Sequence, residues 1–204
     1  MYKVFFNDRI LFLTDSLEQD LINNDFDALH KFTSHHELKQ FVESFENNKD
    51  LQQAFLYGRP KEQLLTELKK CFKFLMAAGG LVSNNNDDLL IIHRLGVFDL
   101  PKGKAEKGES IEETALREVT EECSIAPLCL ENKLCSTFHT YLQKGTNYLK
   151  ETVWFMMKFE GSENPVPQTE ENIASAQWLS VTQLDKVKKN TYPSIIEVLN
   201  TAGY

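Results

Sequence analysis

Three glutamates on one short stretch, Glu118, Glu121 and Glu122, have the residue type and spacing to do chemistry. In a helix, at about 100° per residue, they occupy about a quarter to a third of the circumference. Like charges this close destabilise a helix by a few tenths of a kcal/mol per pair, which a bound cation would relieve. Clustered carboxylate oxygens are the hard ligands that Mg²⁺ or Mn²⁺ prefers, so the spacing predicts a divalent metal site.

The residues around these glutamates add the other parts of a phosphate-handling site. Arg117 can hold a carboxylate through two parallel hydrogen bonds, and Glu109 is its natural partner. Gly103 lies in a loop before the helix, flanked by Lys102 and Lys104, which we expect to contact non-reacting phosphates. A divalent metal beside such a loop indicates a substrate with linked phosphates. The alternatives are ordinary surface lysines and a solvated acidic helix with ion pairs.

A strand, a loop and a helix in succession must position these residues. Residues 100–108 are predicted to end a strand and form a tight loop. A helix is predicted from Glu109 or Ser110 to about Cys123, because Ser110 with Glu113 three residues on is a capping-box pattern. The side of this helix that can face a core carries Ala115, Leu116, Val119 and Cys123.

The fixed positions of this stretch resemble the Nudix box, G-x5-E-x7-R-E-U-x-E-E-x-G-U, in which U is aliphatic. The positions in register are Gly103, Glu109, Arg117, Glu118, Val119, Glu121, Glu122 and Ile125. Ser124 departs from the pattern, because the family has a glycine there that usually ends the helix with positive φ. The departure concerns the end of the helix and leaves the expected metal ligands unchanged.

The resemblance implies a fold and a reaction. The fold is α/β, a Nudix-type α/β/α sandwich with a mixed sheet, here preceded by a small α+β unit. The reaction is metal-dependent hydrolysis of a phosphoanhydride bond in a nucleoside diphosphate linked to another moiety. By resemblance, Mg²⁺ or Mn²⁺ is bound by the Gly103 carbonyl together with Glu118, Glu121 and Glu122, which Arg117 and Glu109 orient.

Two further expectations follow from the resemblance. Members of the family often add a glutamate from a later loop as base or further ligand, and Glu170 and Glu171 are both candidates, against a solvated loop pair. The run from Asp99 to Lys104 resembles that of hydrolases of diadenosine polyphosphates and diphosphoinositol polyphosphates, so a dinucleoside polyphosphate-like substrate is favoured. Tyr141 is a candidate to stack on a base, with core packing as its alternative.

Outside the box, the chain is predicted to contain a unit of unknown role at 1–68 and the Nudix domain at 69–204. In the first unit we expect a hairpin at 2–6 and 10–13, a polar loop at 15–24, helices at 35–45 and 60–72, and a strand at 51–57. In the second we expect strands at 72–82, 89–93, 126–129, 134–142, 150–159 and 174–179, a loop at 143–148, and helices at 181–188 and 193–199.

Composition narrows the partners and the location. The formal net charge of −8 argues against binding duplex nucleic acid or an anionic membrane, so we expect a small nucleotide or polyphosphate as partner. Four cysteines without metal-like spacing are typical of free thiols in a reducing cytoplasm. A homodimer is compatible with the sequence. The rival functions are a regulatory or binding protein that senses nucleotides through a Nudix fold, and an interaction module with a merely acidic face.

Overall fold

The computed structural model describes residues 1–204, and the chain forms two compact units. The first unit contains Met1–Leu75 together with Phe138–Lys150, and the second contains Met76–Thr137 together with Glu151–Tyr204. The first unit therefore includes a segment that lies far along the sequence from its other residues. The predicted division of the chain between residues 68 and 69 stays a prediction.

The first unit is an α+β structure in which helices cover one face of a small sheet. Its elements are β1 (Tyr2–Phe6), β2 (Arg9–Leu13), α1 (Leu17–Leu21), β3 (Ala28–Lys31), α2 (His35–Asn47), β4 (Gln53–Tyr57) and α3 (Lys61–Lys69). The hairpin of β1 and β2 is antiparallel, whereas β4 pairs in parallel with both β2 and β3. Alternate strand residues such as Val4, Leu11 and Leu56 share one buried cluster with Leu38 and Leu64 of the helices.

The predicted hairpin, strand and two helices of this unit are confirmed, with ends that move by a few residues. Two short elements were not predicted. The polar segment 15–24 contains α1, and β3 follows it at the open edge of the sheet. Only two residues of β3, Ala28 and His30, are half-buried. A short edge strand like this carries too little hydrophobic alternation to be predicted from the sequence.

A buried arginine joins the hairpin to the end of α2. Arg9 is 7% exposed, and its Nη1 donates to the carbonyls of Phe45, of Asn48 at 3.1 Å and of Leu51 at 3.3 Å. Its guanidinium also lies over the Phe45 ring, 4.8 Å from the ring centroid. The last carbonyls of a helix have no partners within the helix, and a cation there opposes the negative end of the helix dipole.

The second unit begins within β5 (Lys73–Ser83), which crosses the boundary between the units. It continues with β6 (Leu89–Arg94), β7 (Val97–Asp99), β8 (Lys102–Lys104), α4 (Ile111–Cys123), β9 (Leu128–Gln143), β10 (Thr146–Phe159), β11 (Ile173–Leu179), α5 (Leu184–Lys188) and α6 (Pro193–Thr201). Single 3-10 turns span Thr169–Glu171 and Val181–Gln183. The strand order in this unit is β11-β6-β5-β10-β9, with β7 paired to β6 and β8 paired to β5.

Helices cover both faces of this sheet, and the strands alternate accordingly. In β6, Leu90 and Ile92 pack with Ala115 and Val119 of α4 on one face. On the other face, Leu89 and Ile91 pack with residues of α5 and α6, including Leu184, Val187 and Ile195. Residues 89–92 of this strand are all buried, as expected of a strand that is covered on both faces. The result is the predicted α/β/α sandwich.

The hairpin of β9 and β10 is longer than the sequence predicts. Strands were expected at 126–129 and 134–142, but β9 runs unbroken through the exposed polar residues between them. The loop expected at 143–148 is a turn of Lys144 and Gly145, both with positive φ, and β10 already begins at Thr146. Pairing between the strands outweighs the low strand propensity of the polar residues, and this turn type matches the twist of a hairpin.

Arg9 provides a stability test in the first unit. We expect Arg9→Met to lower the free energy of unfolding by about 2–4 kcal/mol, because several buried carbonyls lose a charged donor. Arg59→Met, at an exposed arginine of the same unit, is the matched control and should change it by less than about 0.5 kcal/mol. Urea unfolding measures both, and equal effects would contradict the capping role.

Ser124 provides a test at the end of α4. It ends the helix in the left-handed region, with φ 53° and ψ 38°, a conformation that costs residues other than glycine about 1–2 kcal/mol. We expect Ser124→Gly to relieve this strain and to raise the free energy of unfolding by up to about 1 kcal/mol. The gain is smaller than the strain because glycine also increases the conformational entropy of the unfolded chain. Ser124→Ala keeps the strain and should give no gain. A glycine variant that is less stable than the alanine variant would contradict this account.

Candidate active site

The exposed side of α4 collects carboxylates around one arginine. Ser110 begins the helix with the predicted capping box, and Ala115, Val119 and Cys123 fix its other side in the core. Arg117 Nη1 donates to Glu118 Oε1 at 2.8 Å and to Glu121 Oε2 at 3.0 Å. One nitrogen therefore holds two of the three predicted metal-binding carboxylates side by side and offsets their mutual repulsion.

Arg117 also makes the predicted two-point contact with Glu109. Its Nε donates to Glu109 Oε1 at 2.5 Å, and its Nη2 donates to Oε2 at 2.9 Å. Hydrogen bonding from Arg117 lowers the pKa of Glu109 to about 2, and the same bond raises the pKa of Arg117. Because Nη2 also reaches the Lys104 carbonyl at 3.2 Å, the arginine joins α4 to the end of β8.

Glu122, the third carboxylate, points inward rather than to solvent. It is 2% exposed, and its Oε2 accepts a hydrogen bond from the Lys102 backbone nitrogen at 2.9 Å. Its Oε1 lies 3.4 Å from Arg94 Nη1. Burial raises the pKa of Glu122 to about 7, although Lys102 and Arg94 lower it in part. A buried carboxylate needs such partners, and here they come from β6 and β8.

Gly103 leaves the space that the Glu118 carboxylate occupies. A Cβ atom added at residue 103 would lie 1.9 Å from Glu118 Oε2, far inside van der Waals contact. β8 carries Gly103 directly opposite Ala78 of β5, so the backbone cannot move away freely. The glycine of the motif is thus required for close approach of the glutamate and not for an unusual φ.

The donor set fits a hard divalent cation. Glu118 and Glu121 present carboxylate oxygens together, and Glu122 lies on the same helix, so the oxygen-only chemistry suits Mg²⁺ or Mn²⁺. No three carboxylate, histidine or cysteine side chains converge closely enough here to ligate a single ion. Arg117 occupies the space between two of the acids instead, as the repulsion between them requires.

Two of the predicted substrate-contacting residues, Lys102 and Lys104, lie on β8, and the third, Tyr141, lies on β9. Lys102 Nζ donates to Asp99 and, at 3.3 Å, to the Leu100 carbonyl, so its ammonium already has partners. Lys104 lies two residues further along β8 and is exposed. Tyr141 belongs to the first unit, where its ring stacks on Tyr148 with 5.2 Å between centroids. Substrate contact by these residues stays a prediction.

The later loop carries the two candidate glutamates and shows a residue that the sequence analysis missed. Glu171 Oε2 accepts a hydrogen bond from Arg94 Nη2 at 3.0 Å, whereas Glu170 contacts only the neighbouring Thr169 hydroxyl at 3.5 Å. Arg94 therefore connects Glu171 with Glu122. The only sequence signal for Arg94 was its position as a charged residue after a buried apolar strand, which does not identify a partner.

These features define the second unit as an α/β/α sandwich with a carboxylate-rich helix beside the glycine of β8. A loop was expected at Gly103, but pairing with β5 makes it part of a short strand. The NUDIX domain model matches residues 73–199, which is more than half of the chain. The protein belongs to the NUDIX domain family. The predicted family and fold class are confirmed, and so is the prediction of a hydrolase that acts on phosphoanhydrides.

Individual relatives agree with this assignment. An RNA pyrophosphohydrolase from Roseobacter denitrificans is 24% identical over 139 residues, which are 58% of this chain and 87% of the relative. A C. elegans Ap4A hydrolase, solved as a binary complex, aligns with a TM-score of 0.50 at 20% identity, over 64% of this chain and 99% of that one. The NUDIX domain of Shewanella oneidensis NrtR, complexed with ADP ribose, also gives 0.50 at 21% identity, over 69% and 94%.

None of the helices combines the length and the apolar character that crossing a bilayer requires.

Two glycines of this region provide a matched test. We expect Gly103→Ala to fold, because its methyl group meets the movable end of Glu118, but to lower affinity for divalent cations about 10–100-fold. Gly79→Ala meets the Pro101 carbonyl at 2.3 Å and the Lys102 backbone at 3.0 Å, so it should lose about 2–3 kcal/mol of stability instead. Calorimetric Mg²⁺ titration and urea unfolding separate the two. Unchanged Mg²⁺ affinity in Gly103→Ala would contradict the assignment.

Proposed function

We propose that this protein hydrolyses a phosphoanhydride bond in a nucleoside diphosphate linked to another moiety, and that it requires Mg²⁺ or Mn²⁺. The observation that carries the proposal is the group of carboxylates that Arg117 gathers on α4, beside the space left by Gly103. Oxygen ligands on a rigid helix, able to hold a divalent cation against the substrate, are what metal-assisted hydrolysis of linked phosphates needs.

Four groups of the chain would hold one or more metal ions, which would draw together side chains that do not yet converge on one point. The four groups are the side chains of Glu118, Glu121 and Glu122 and the backbone carbonyl of Gly103. When bound, a divalent cation supplies positive charge that neutralises phosphate oxygens in the transition state. Glu109 acts on these ligands through Arg117, because it fixes the guanidinium that contacts Glu118 and Glu121.

The hydrolysis also needs a proton acceptor and cations that neutralise the phosphates that do not react. Water attacks phosphorus, the bridging P–O bond breaks with its electron pair on the leaving phosphate, and the water proton passes to Glu171 or Glu170. Lys104, exposed beside the loop, can neutralise a phosphate that does not react. Lys102 can do the same only if its contact with Asp99 opens.

The substrate favoured within this class is a dinucleoside polyphosphate. The run from Asp99 to Lys104, followed by Glu106 and Glu109, supports this choice by its resemblance to that group of hydrolases. Because a relative is named an RNA pyrophosphohydrolase, a 5′-triphosphorylated RNA belongs in the same substrate panel. Tyr141, stacked on Tyr148, is offered as a base contact.

The proposal extends to partners and location. The partner is a small nucleotide or polyphosphate rather than duplex nucleic acid or a membrane, in keeping with the net charge of −8. Four free cysteines fit a cytoplasmic location, where thiols stay reduced. A homodimer stays part of the prediction. A nucleotide-sensing role remains the alternative, and it predicts tight binding of a nucleotide without turnover.

The substrate test compares turnover across a panel with Mg²⁺ present. The panel contains a dinucleoside polyphosphate, a nucleoside diphosphate sugar, an oxidised nucleoside triphosphate, an inositol pyrophosphate and 5′-triphosphorylated RNA, with products identified by mass. We expect hydrolysis at a phosphoanhydride bond, fastest for the dinucleoside polyphosphate. Binding without hydrolysis of any member would contradict the proposal and support the sensing alternative.

Two glutamate variants test the metal ligands. We expect Glu118→Gln and Glu121→Gln each to lower kcat on the order of 100-fold or more, because each removes a charged oxygen ligand. Glu112→Gln, at an exposed glutamate on the first turn of the same helix, is the control and should retain activity. An equal loss in all three variants would show that helix charge in general, and not a specific site, supports the reaction.

A further inference from the structure

Arg94 occupies the end of a strand whose other residues are almost all apolar. It is the last residue of β6, where it pairs with Ile173 of β11 and with Val97 of β7, and all three strands belong to the second unit. Strand pairing therefore fixes its backbone on two sides. A fixed strand backbone sets the face of the sheet from which the side chain leaves, so the side on which Arg94 lies is a property of the fold.

Both terminal nitrogens of Arg94 are committed to glutamates that come from different elements. Nη1 lies 3.4 Å from Glu122 Oε1 on α4, and Nη2 donates to Glu171 Oε2 at 3.0 Å. The two acids differ in environment, since the Glu122 side chain is 3% exposed and that of Glu171 is 53% exposed. Arg94 thus tethers a carboxylate with access to solvent to a buried one.

The third donor group of Arg94, its Nε, shows that the side chain is not placed so as to give every donor of the arginine a partner. Its Nε is buried and has no hydrogen-bond partner. Leaving a buried donor unpaired costs about 1–3 kcal/mol, and such groups in native proteins call for an explanation. Orientation of the two terminal nitrogens toward Glu122 and Glu171 provides it.

The backbone of the later loop is already held, but the Glu171 side chain is not. Val166 N donates to the Cys123 carbonyl at 2.8 Å, and Gln168 N donates to the Glu122 carbonyl at 3.0 Å, which pairs otherwise open carbonyls at the end of α4. The 3-10 turn at Thr169–Glu171 then ends at Asn172 with φ 61°. Beyond this, only Arg94 restrains the half-exposed carboxylate of Glu171.

We propose that Arg94 is a positioning residue that holds Glu171 next to Glu122, and that Glu171 rather than Glu170 receives the proton of the attacking water. The inference rests on the proposed function, which leaves the choice between the two glutamates open. Arg94 itself touches neither substrate nor the reacting atoms. Its planar fork suits two carboxylates at once, which a lysine cannot match.

A double-mutant cycle tests the coupling. We expect Arg94→Gln and Glu171→Gln each to lower kcat about 10–100-fold with KM changed less than about 3-fold. The double variant should be no slower than the slower single variant, because both remove the same arrangement. Glu170→Gln distinguishes the two candidates, and we expect its effect to multiply that of Arg94→Gln independently. Glu163→Gln, at an exposed glutamate of the same loop, is the matched control and should retain near-wild-type kcat. Arg94→Lys should recover part of the loss.

Other results would overturn the inference. A rise in KM at constant kcat would make Arg94 a substrate contact, and fully multiplicative effects of Arg94→Gln and Glu171→Gln would leave the two uncoupled. Coupling of Arg94 to Glu170 would reverse the assignment of the two glutamates. Urea unfolding shows whether each variant still folds. If Arg94→Gln does not fold, the test passes to Arg94→Lys. Full activity in Arg94→Lys would show that the two-carboxylate contact of the guanidinium is not needed.

A readout that is independent of turnover keeps this inference separate from the proposed function. In a crystal structure of metal-free Arg94→Gln, we expect the Glu171 carboxylate to leave the position it holds here while α4 stays in place. A Glu171 carboxylate that stays where it is would overturn the positioning role. If the wild-type protein hydrolyses no member of the panel, the proposed function fails. The crystal structure of Arg94→Gln would still show whether Arg94 holds Glu171.

Discussion

Repulsion between carboxylates on one side of α4 is the constraint that the second unit is built to satisfy. The chain puts Glu118, Glu121 and Glu122 within two turns of one helix, and a helix with no further partners would be destabilised by them. Arg117, on the helix itself, pairs with two of these carboxylates. Arg94 answers the third from a strand. A divalent metal can replace the contacts of Arg117 Nη1 with Glu118 and Glu121, whereas Arg94 keeps its place on the strand.

The sandwich makes this arrangement rigid. α4 cannot rotate away from the loop, because its apolar side is part of the core on one face of the sheet, and α5 and α6 close the other face. Glu122 is anchored further by the backbone of Lys102, and the later loop is tied to the end of the same helix. Stability and chemistry therefore meet in the same contacts, since the groups that hold the helix also aim its carboxylates.

The parts that the sequence predicted are those with local causes. Helix α4 followed from its capping box and apolar period, the contact of Arg117 with Glu109 followed from charge and spacing, and β6 followed from an apolar run. Arg94 could not be predicted, because its partners lie 28 and 77 residues away and only the folded sheet brings them together. The same limit applies to the segment Phe138–Lys150, whose place in the first unit depends on pairing between Val4 and Phe138.

We expect the acidic side of α4 to hold a divalent metal ion. The most direct measurement is the crystal structure of the protein soaked with Mn²⁺, recorded where manganese scatters anomalously. We expect an anomalous peak at bonding distance from carboxylate oxygens of at least two of Glu118, Glu121 and Glu122. Arg117 Nη1 should then be displaced from between Glu118 and Glu121. No peak at this helix, or a peak only elsewhere on the protein, would contradict it.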